Sequence, residues 1–109
     1  MQLNLLSAYA GGISVGQRQL FVYFAIGPAS YSQTTRDPVS LPNGVYLDAM
    51  NECMDTTGTY EIIFYPSATN TTRASWIASW WVAATGAEVA NGVNLSGFKI
   101  QFGANGGEF

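Results

Sequence analysis

From Thr59 to Thr85 the chain reads TYEIIFYPSATNTTRASWIASWWVAAT: two apolar, aromatic runs separated by a polar turn. The first run, Tyr60 to Tyr65, is dense in β-branched and aromatic side chains, which suit a pleated, half-buried surface. The second, Trp76 to Ala84, holds all three tryptophans of the protein, Trp76, Trp80 and Trp81. With Pro66 to Ser75 as the turn, the pair forms a hairpin carrying most of the aromatic area a core needs. A helix competes over 75–85. Trp76, Trp80 and Ala84 repeat at i, i+4, Ser75 suits an N-cap, and Gly86 follows the end. Period-two alignment of Trp76, Trp80 and Val82 favours the strand.

Other segments follow the same period. Residues 2–10 form a first strand ended by Gly11 and Gly12. The opening MQLNLLSAYAGG lacks a charged n-region, so it is expected to be that strand and not a signal peptide. Residues 19–26, QLFVYFAI, are the cleanest strand, with Leu20, Val22, Phe24 and Ile26 on one face and Phe21, Tyr23 and Ala25 on the other. Both faces are apolar, so both are expected to be covered, one by a sandwich core and one by a neighbouring subunit. Residues 45–50, VYLDAM, alternate again, although Leu47, Met50 and Met54 also share a helical face and leave 45–54 open between the two. In VNLSGFKIQF the apolar parity changes, which predicts a bulge or tight bend at Ser96-Gly97. The loop 27–43 holds three prolines and is expected to contain a short edge strand or to act as a contact arm. The tail 103–109, GANGGEF, is flexible by composition and ends in Phe109. These elements make one all-β domain over 1–109, an antiparallel β-sandwich, immunoglobulin-like or related.

Charge decides how such a domain meets its surroundings. Only 10% of the 109 residues are charged, against roughly 25% in an ordinary soluble domain. Six Tyr, six Phe and three Trp accompany that deficit. A surface so poor in charge is expected to be covered in use, by copies of itself or by another protein. The alternative is a secreted domain kept soluble by neutral Ser, Thr and Asn. The candidate interface residues are Phe21, Tyr23, Tyr46, Tyr65, Trp81 and Phe109. Outward Tyr and Trp anchor protein interfaces, and they also stack on sugar rings. Arg18, Arg36, Arg73 and Lys99 are scattered, so no basic stripe favours nucleic acid or an anionic membrane. No apolar run reaches the roughly 18–20 residues of a membrane helix.

Catalytic signals are sparse. The chain has no histidine, which removes Ser-His and Cys-His pairs and the usual zinc spheres. The single cysteine, Cys53, has no partner within the chain for a disulfide. Asp48, Glu52 and Asp55 form one acidic group, a candidate for glycoside hydrolysis or Ca²⁺, but their spacing fits no Ca²⁺ loop. No cofactor is expected. Asn70-Thr71-Thr72 and Asn94-Leu95-Ser96 match the glycosylation pattern, which arises easily in a chain rich in Asn and Thr.

The runs GVYLDAM, TGTYEIIFYPS and SWIASWWVAATGAEV resemble the immunoglobulin-like β-sandwich modules of structural proteins in tailed-phage particles. The matching positions are Gly44, Tyr46, Gly58, Thr59 and Tyr60, within residues 44–90. The resemblance implies a non-enzymatic, multimeric virion component, made in the host cytoplasm, whose partners are the major capsid protein or other virion proteins. A decoration or cement subunit is the most concrete form of that expectation, and a carbohydrate-binding module is the alternative.

Overall fold

The computed structural model of the chain describes residues 1–10, 19–68 and 73–108. Among these residues there are eight strands and no helix: β1 (Asn4–Ala10), β2 (Gln19–Ile26), β3 (Asp37–Val39), β4 (Val45–Met50), β5 (Cys53–Met54), β6 (Tyr60–Pro66), β7 (Trp76–Val82) and β8 (Lys99–Glu108). They form two antiparallel sheets, ordered β1-β2-β8-β4 and β3-β7-β6-β5. The expected antiparallel β-sandwich is therefore the architecture. In its winding β2 lies beside the last strand, β3 lies beside β7, and β7 and β8 sit in different sheets. In the immunoglobulin order the last two strands share a sheet.

The aromatic hairpin is present as β6 and β7, paired in register from Tyr60↔Val82 to Pro66↔Trp76. Both segments left open between helix and strand, at β4 and at β7, are strands. Tryptophan bulk settles β7: Trp76, Ala78 and Trp80 all turn inward and are buried. Trp80 is wholly enclosed. Its indole N–H donates to Asp37 Oδ2 at 3.1 Å, and its backbone N–H donates to Tyr31 Oη at 3.2 Å. The Tyr60 ring meets it edge-on at 6.0 Å.

Across the core the first sheet contributes Phe21 and Tyr23 from β2 and Phe102 from β8. Phe21 stacks on Tyr23 at 5.5 Å, Tyr23 lies 6.1 Å from Phe102, and Phe102 lies 4.5 Å from Phe64 of the facing sheet. This file of rings joins the two layers.

Residues 27–43 contain the expected short edge strand, β3, at the end of its sheet, and they are not an arm reaching outward. Tyr31 is buried, its N–H bonds Val93 O at 2.9 Å, and Leu95 N–H bonds Pro28 O at 2.8 Å. The segment is laid on the chain's own 88–98 region and supplies β3. Likewise 103–108 is no flexible tail but the second half of β8, held between β2 and β4. Its glycines serve close approach instead of mobility. A Cβ on Gly106 would run into the Tyr46 carbonyl and lie 2.9 Å from Leu47 Cα, so only glycine lets β4 and β8 come together there. The bend at Ser96-Gly97 is a turn, closed by Phe98 N–H on Leu95 O at 3.0 Å. It lets Leu95 and Ile100 both reach the core despite the change in parity.

Gly27 marks another close internal contact. A methyl there would fall 2.6 Å from Leu95 Cβ and 2.7 Å from Leu95 O. Gly27→Ala is therefore expected to cost about 1–3 kcal/mol through overpacking. Urea unfolding followed by tryptophan fluorescence should show the midpoint fall with little change in slope.

Candidate functional site

The register of β2 is set by β8, which pairs Phe21 with Ala104 and Tyr23 with Phe102. Ala104 and Phe102 face the core, so Phe21 and Tyr23 must face it too. These two candidate interface residues are thereby corrected: they are core, 2% and 1% exposed. The other face of β2 points to solvent, and it is the bulkier one. Leu20 and Ile26 are exposed, while Val22 and Phe24 are half-buried. In β1, Leu5 pairs with Tyr23 and so lies on the core-facing side at the edge of the sheet, where it is still 52% exposed, and Leu6 in the bulge beside it is 53% exposed. Neither β1 nor β2 contains an Asp, Glu, Lys or Arg. Lys99 of β8 places its Nζ 4.9 Å from the centre of the Phe24 ring. The outer face of the first sheet thus presents an uncharged apolar row at its β1–β2 side, a surface type associated with contact to other protein.

The second sheet turns a different surface outward. As the alternation of the hairpin requires, Glu61, Ile63 and Tyr65 on β6 and Ile77, Ser79 and Trp81 on β7 lie on its outer side. Tyr65 and Trp81 are half-buried because Arg36 covers them. Its guanidinium carbon is 5.4 Å from the Tyr65 ring centre and 5.8 Å from that of Trp81. Arg36 also donates to Tyr65 Oη at 3.1 Å and to Glu88 Oε2 at 2.9 Å. Tyr31 Oη donates to the same Glu88 oxygen at 2.8 Å, and burial, ahead of the Glu88 contact, pushes its phenol well above the usual range. Trp81 Nε1 donates to Ser79 Oγ at 2.9 Å, and Ser79 Oγ donates to Ile63 O at 3.0 Å. This network latches the 31–36 and 88 segments onto β6 and β7.

Tyr46 lies on the first sheet, opposite Gly107, with the Arg73 guanidinium carbon 4.2 Å from its ring centre. Tyr46 is therefore in a different sheet from Tyr65 and Trp81, and the three do not combine into one stacking platform. Phe109 lies outside the described residues, as does Asn70-Thr71-Thr72. Leu5, Leu6, Leu20 and Ile26 were not singled out from sequence as surface residues. Their signal was the two-sided hydrophobicity of β2, which does not say which side is out.

The acidic group is dispersed in purpose. Asp48 pairs with Arg73 at 2.6 Å. Asp55 is 3% exposed and closes the turn before β6, accepting from Thr57 N–H at 2.9 Å, from Tyr60 N–H at 2.7 Å and from the Thr57 hydroxyl. Burial works against its ionisation, yet the bonds from Thr57, Tyr60 and Thr59 together outweigh that and hold the carboxyl below its ordinary value. Among the described residues no three His, Cys, Asp or Glu side chains gather as a metal site. Cys53 lines an open recess with Glu52, Met54 and Glu61. Burial first, then the charges of Asp55 and Glu52, push its thiol up to about 12. It stays protonated at neutral pH and is a poor nucleophile.

Comparison with protein-family models, curated proteins and solved structures finds no match to this chain.

The depressed Asp55 carboxyl has a pH consequence. Its contribution to stability is present above the unfolded value near pH ~3.9 and is lost as pH falls through the lower folded value. Asp55→Ala is expected to cost about 1–3 kcal/mol near neutrality by leaving turn N–H groups unpaired. In urea titrations the gap between wild type and variant should shrink as pH falls beneath the ordinary carboxylate range; a gap of constant size would remove Asp55 as its source.

Proposed function

We propose that this chain is a non-enzymatic structural subunit of a phage particle, and most concretely a decoration or cement protein that docks on a capsid or tail lattice. The observation that carries the reading is the orientation of β2. The strand spends its smaller apolar set, Phe21, Tyr23 and Ala25, on the core and leaves Leu20, Val22, Phe24 and Ile26 on an outer face. Exposed leucine and isoleucine in a row, beside a strand without charge, gain by being covered. The low charge of the whole chain supports the same conclusion, since an assembled subunit needs less charge to stay apart from its neighbours. The phage setting rests on the resemblance at Gly44, Tyr46, Gly58, Thr59 and Tyr60.

Docking of this kind would work by burial. Each Å² of apolar surface removed from water contributes about 25 cal/mol before ordering costs. Many copies on one lattice would turn a small net gain per copy into a large one per particle. The carbohydrate-binding alternative has less support. Arg36 already occupies the space over Tyr65 and Trp81, and Tyr46 lies on the other sheet.

Co-sedimentation with the assembled particles of the virus encoding the chain tests the proposal. Wild type is expected to pellet with heads or tails. The double variant Leu20→Asp, Ile26→Asp should stay in the supernatant, with a Tm close to that of wild type because both side chains are exposed. Pelleting of the charged variant at wild-type levels, or wild type absent from every particle fraction, would overturn it.

A further inference from the structure

Asparagine followed by glycine occurs three times in the chain, at Asn43-Gly44, Asn91-Gly92 and Asn105-Gly106. Such a pair can react with itself in water. The main-chain nitrogen of the glycine attacks the side-chain amide carbon of the asparagine, and no Cβ on the glycine stands in the way. Asn4, Asn51 and Asn94 are followed by Leu, Glu and Leu, whose side chains hinder the same attack. Ring closure needs two freedoms: the glycine N–H must leave its hydrogen bond, and the asparagine Cα–C bond must rotate. The three pairs differ in both.

Asn105 and Gly106 belong to β8, which lies between β2 and β4. Gly106 stands opposite Gln19 on one side and Leu47 on the other, so rotation there would break the ladder of a central strand. Asn91-Gly92 lies in a turn, yet both of its reacting groups are tied. Gly92 N–H donates to Tyr31 O at 2.8 Å, and Asn91 Oδ1 accepts from Gln33 N–H at 2.7 Å. Tyr31 is buried, so that anchor is fixed.

Asn43-Gly44 has neither restraint. The two residues are the centre of the turn into β4, which is closed by Val45 N–H on Pro42 O at 3.3 Å. Both are exposed. Gly44 holds the positive φ, 78°, that a third turn position asks of glycine. Among the described residues no group bonds the Gly44 N–H or the Asn43 side-chain amide. A Cβ on Gly44 would meet nothing within 4 Å, so the space around the reacting atoms is open. Turning the Asn43–Gly44 peptide disturbs one long hydrogen bond and no core contact.

We propose that Asn43 is a site of spontaneous deamidation in the folded protein. Gly44 N gives up its proton to water or hydroxide and forms a bond to Asn43 Cγ. The Cγ–Nδ2 bond breaks, and Nδ2 takes a proton back from water and leaves as ammonia, which closes a succinimide ring. Water then adds to one of the two ring carbonyls and opens the ring. Opening at the side-chain carbon gives aspartate, and opening at the main-chain carbon gives isoaspartate. One water is consumed, one ammonia is released, and no oxidant or reductant is needed. Either product places a carboxylate where an amide stood, and isoaspartate also adds a methylene to the main chain just before β4.

Incubation of the full chain at mildly alkaline pH, with samples digested by trypsin for mass spectrometry, tests this. Cleavage after Arg36, Arg73 and Lys99 puts the three Asn-Gly pairs in separate peptides, 37–73, 74–99 and 100–109. Fragment ions then locate the converted residue within each peptide. In the folded chain, conversion at Asn43 is expected at least about tenfold faster than at Asn91 and Asn105, which must first open locally. In denaturant the three rates should converge. Asn43→Gln, whose longer side chain closes a ring slowly, should remove the early conversion and leave the circular dichroism unchanged, because the side chain is exposed. A folded chain in which Asn91 or Asn105 converts as fast as Asn43 overturns the proposal. So does one in which Asn43 stays an amide while the unfolded chain converts.

Discussion

The enclosure of Trp80 is the constraint on which the other contacts depend. Its ring and its backbone N–H are held by groups distant in sequence: Asp37 on β3, Tyr31 in the loop before it, and Tyr60 on β6. The ring also lies against Gly27, where a Cβ would come within 3.0 Å of its Cη2. A buried indole N–H without an acceptor is costly, so Asp37 must sit in the core, and β3 must lie beside β7 to bring it there. The long loop from 27 to 43 is folded inward for this reason. Its own backbone groups then bond the 88–98 region, whose Val89 N–H in turn bonds Trp80 O of β7.

Filling the interior in this way leaves β2 with a choice that its neighbour makes. Tyr23 lies against Phe102, and Phe102 lies against Phe64, so aromatic rings occupy the space between the sheets. The aliphatic row of Leu20, Val22, Phe24 and Ile26 is turned out as a result. Core packing and outward stickiness are thus two consequences of one register. The second sheet behaves differently: its outer aromatic residues Tyr65 and Trp81 are tied down by Arg36, which Glu88 holds in place.

How far the sequence foretold this depends on the residue. Alternation placed Glu61, Ile63 and Tyr65 outward and Ile62 and Phe64 inward, because a strand with one polar residue in the row has a definite polar side. The same alternation in β2 offered two apolar sides, and the inference that Phe21 and Tyr23 might meet a partner took the wrong one. Asp48, Glu52 and Asp55 looked like one acidic group in sequence. In space Asp55 serves a turn and Asp48 an arginine, roles that depend on Tyr60 and Arg73. GANGGEF suggested mobility, since glycine content alone does not distinguish a loose chain from one pressed against a neighbouring strand.

Composition and period-two patterning by themselves determined an all-β chain, a central aromatic hairpin, a bend at Ser96-Gly97 and a surface short of charge. Those properties are local or summed over the chain, and need no knowledge of what lies across a gap. Tertiary structure decided the nesting of the strands, the inward path of the 27–43 loop and the face of β2 that meets water. Each of these turns on which strand is a neighbour, and strand pairing between segments far apart in sequence is fixed only when side chains from both sheets compete for the same interior volume.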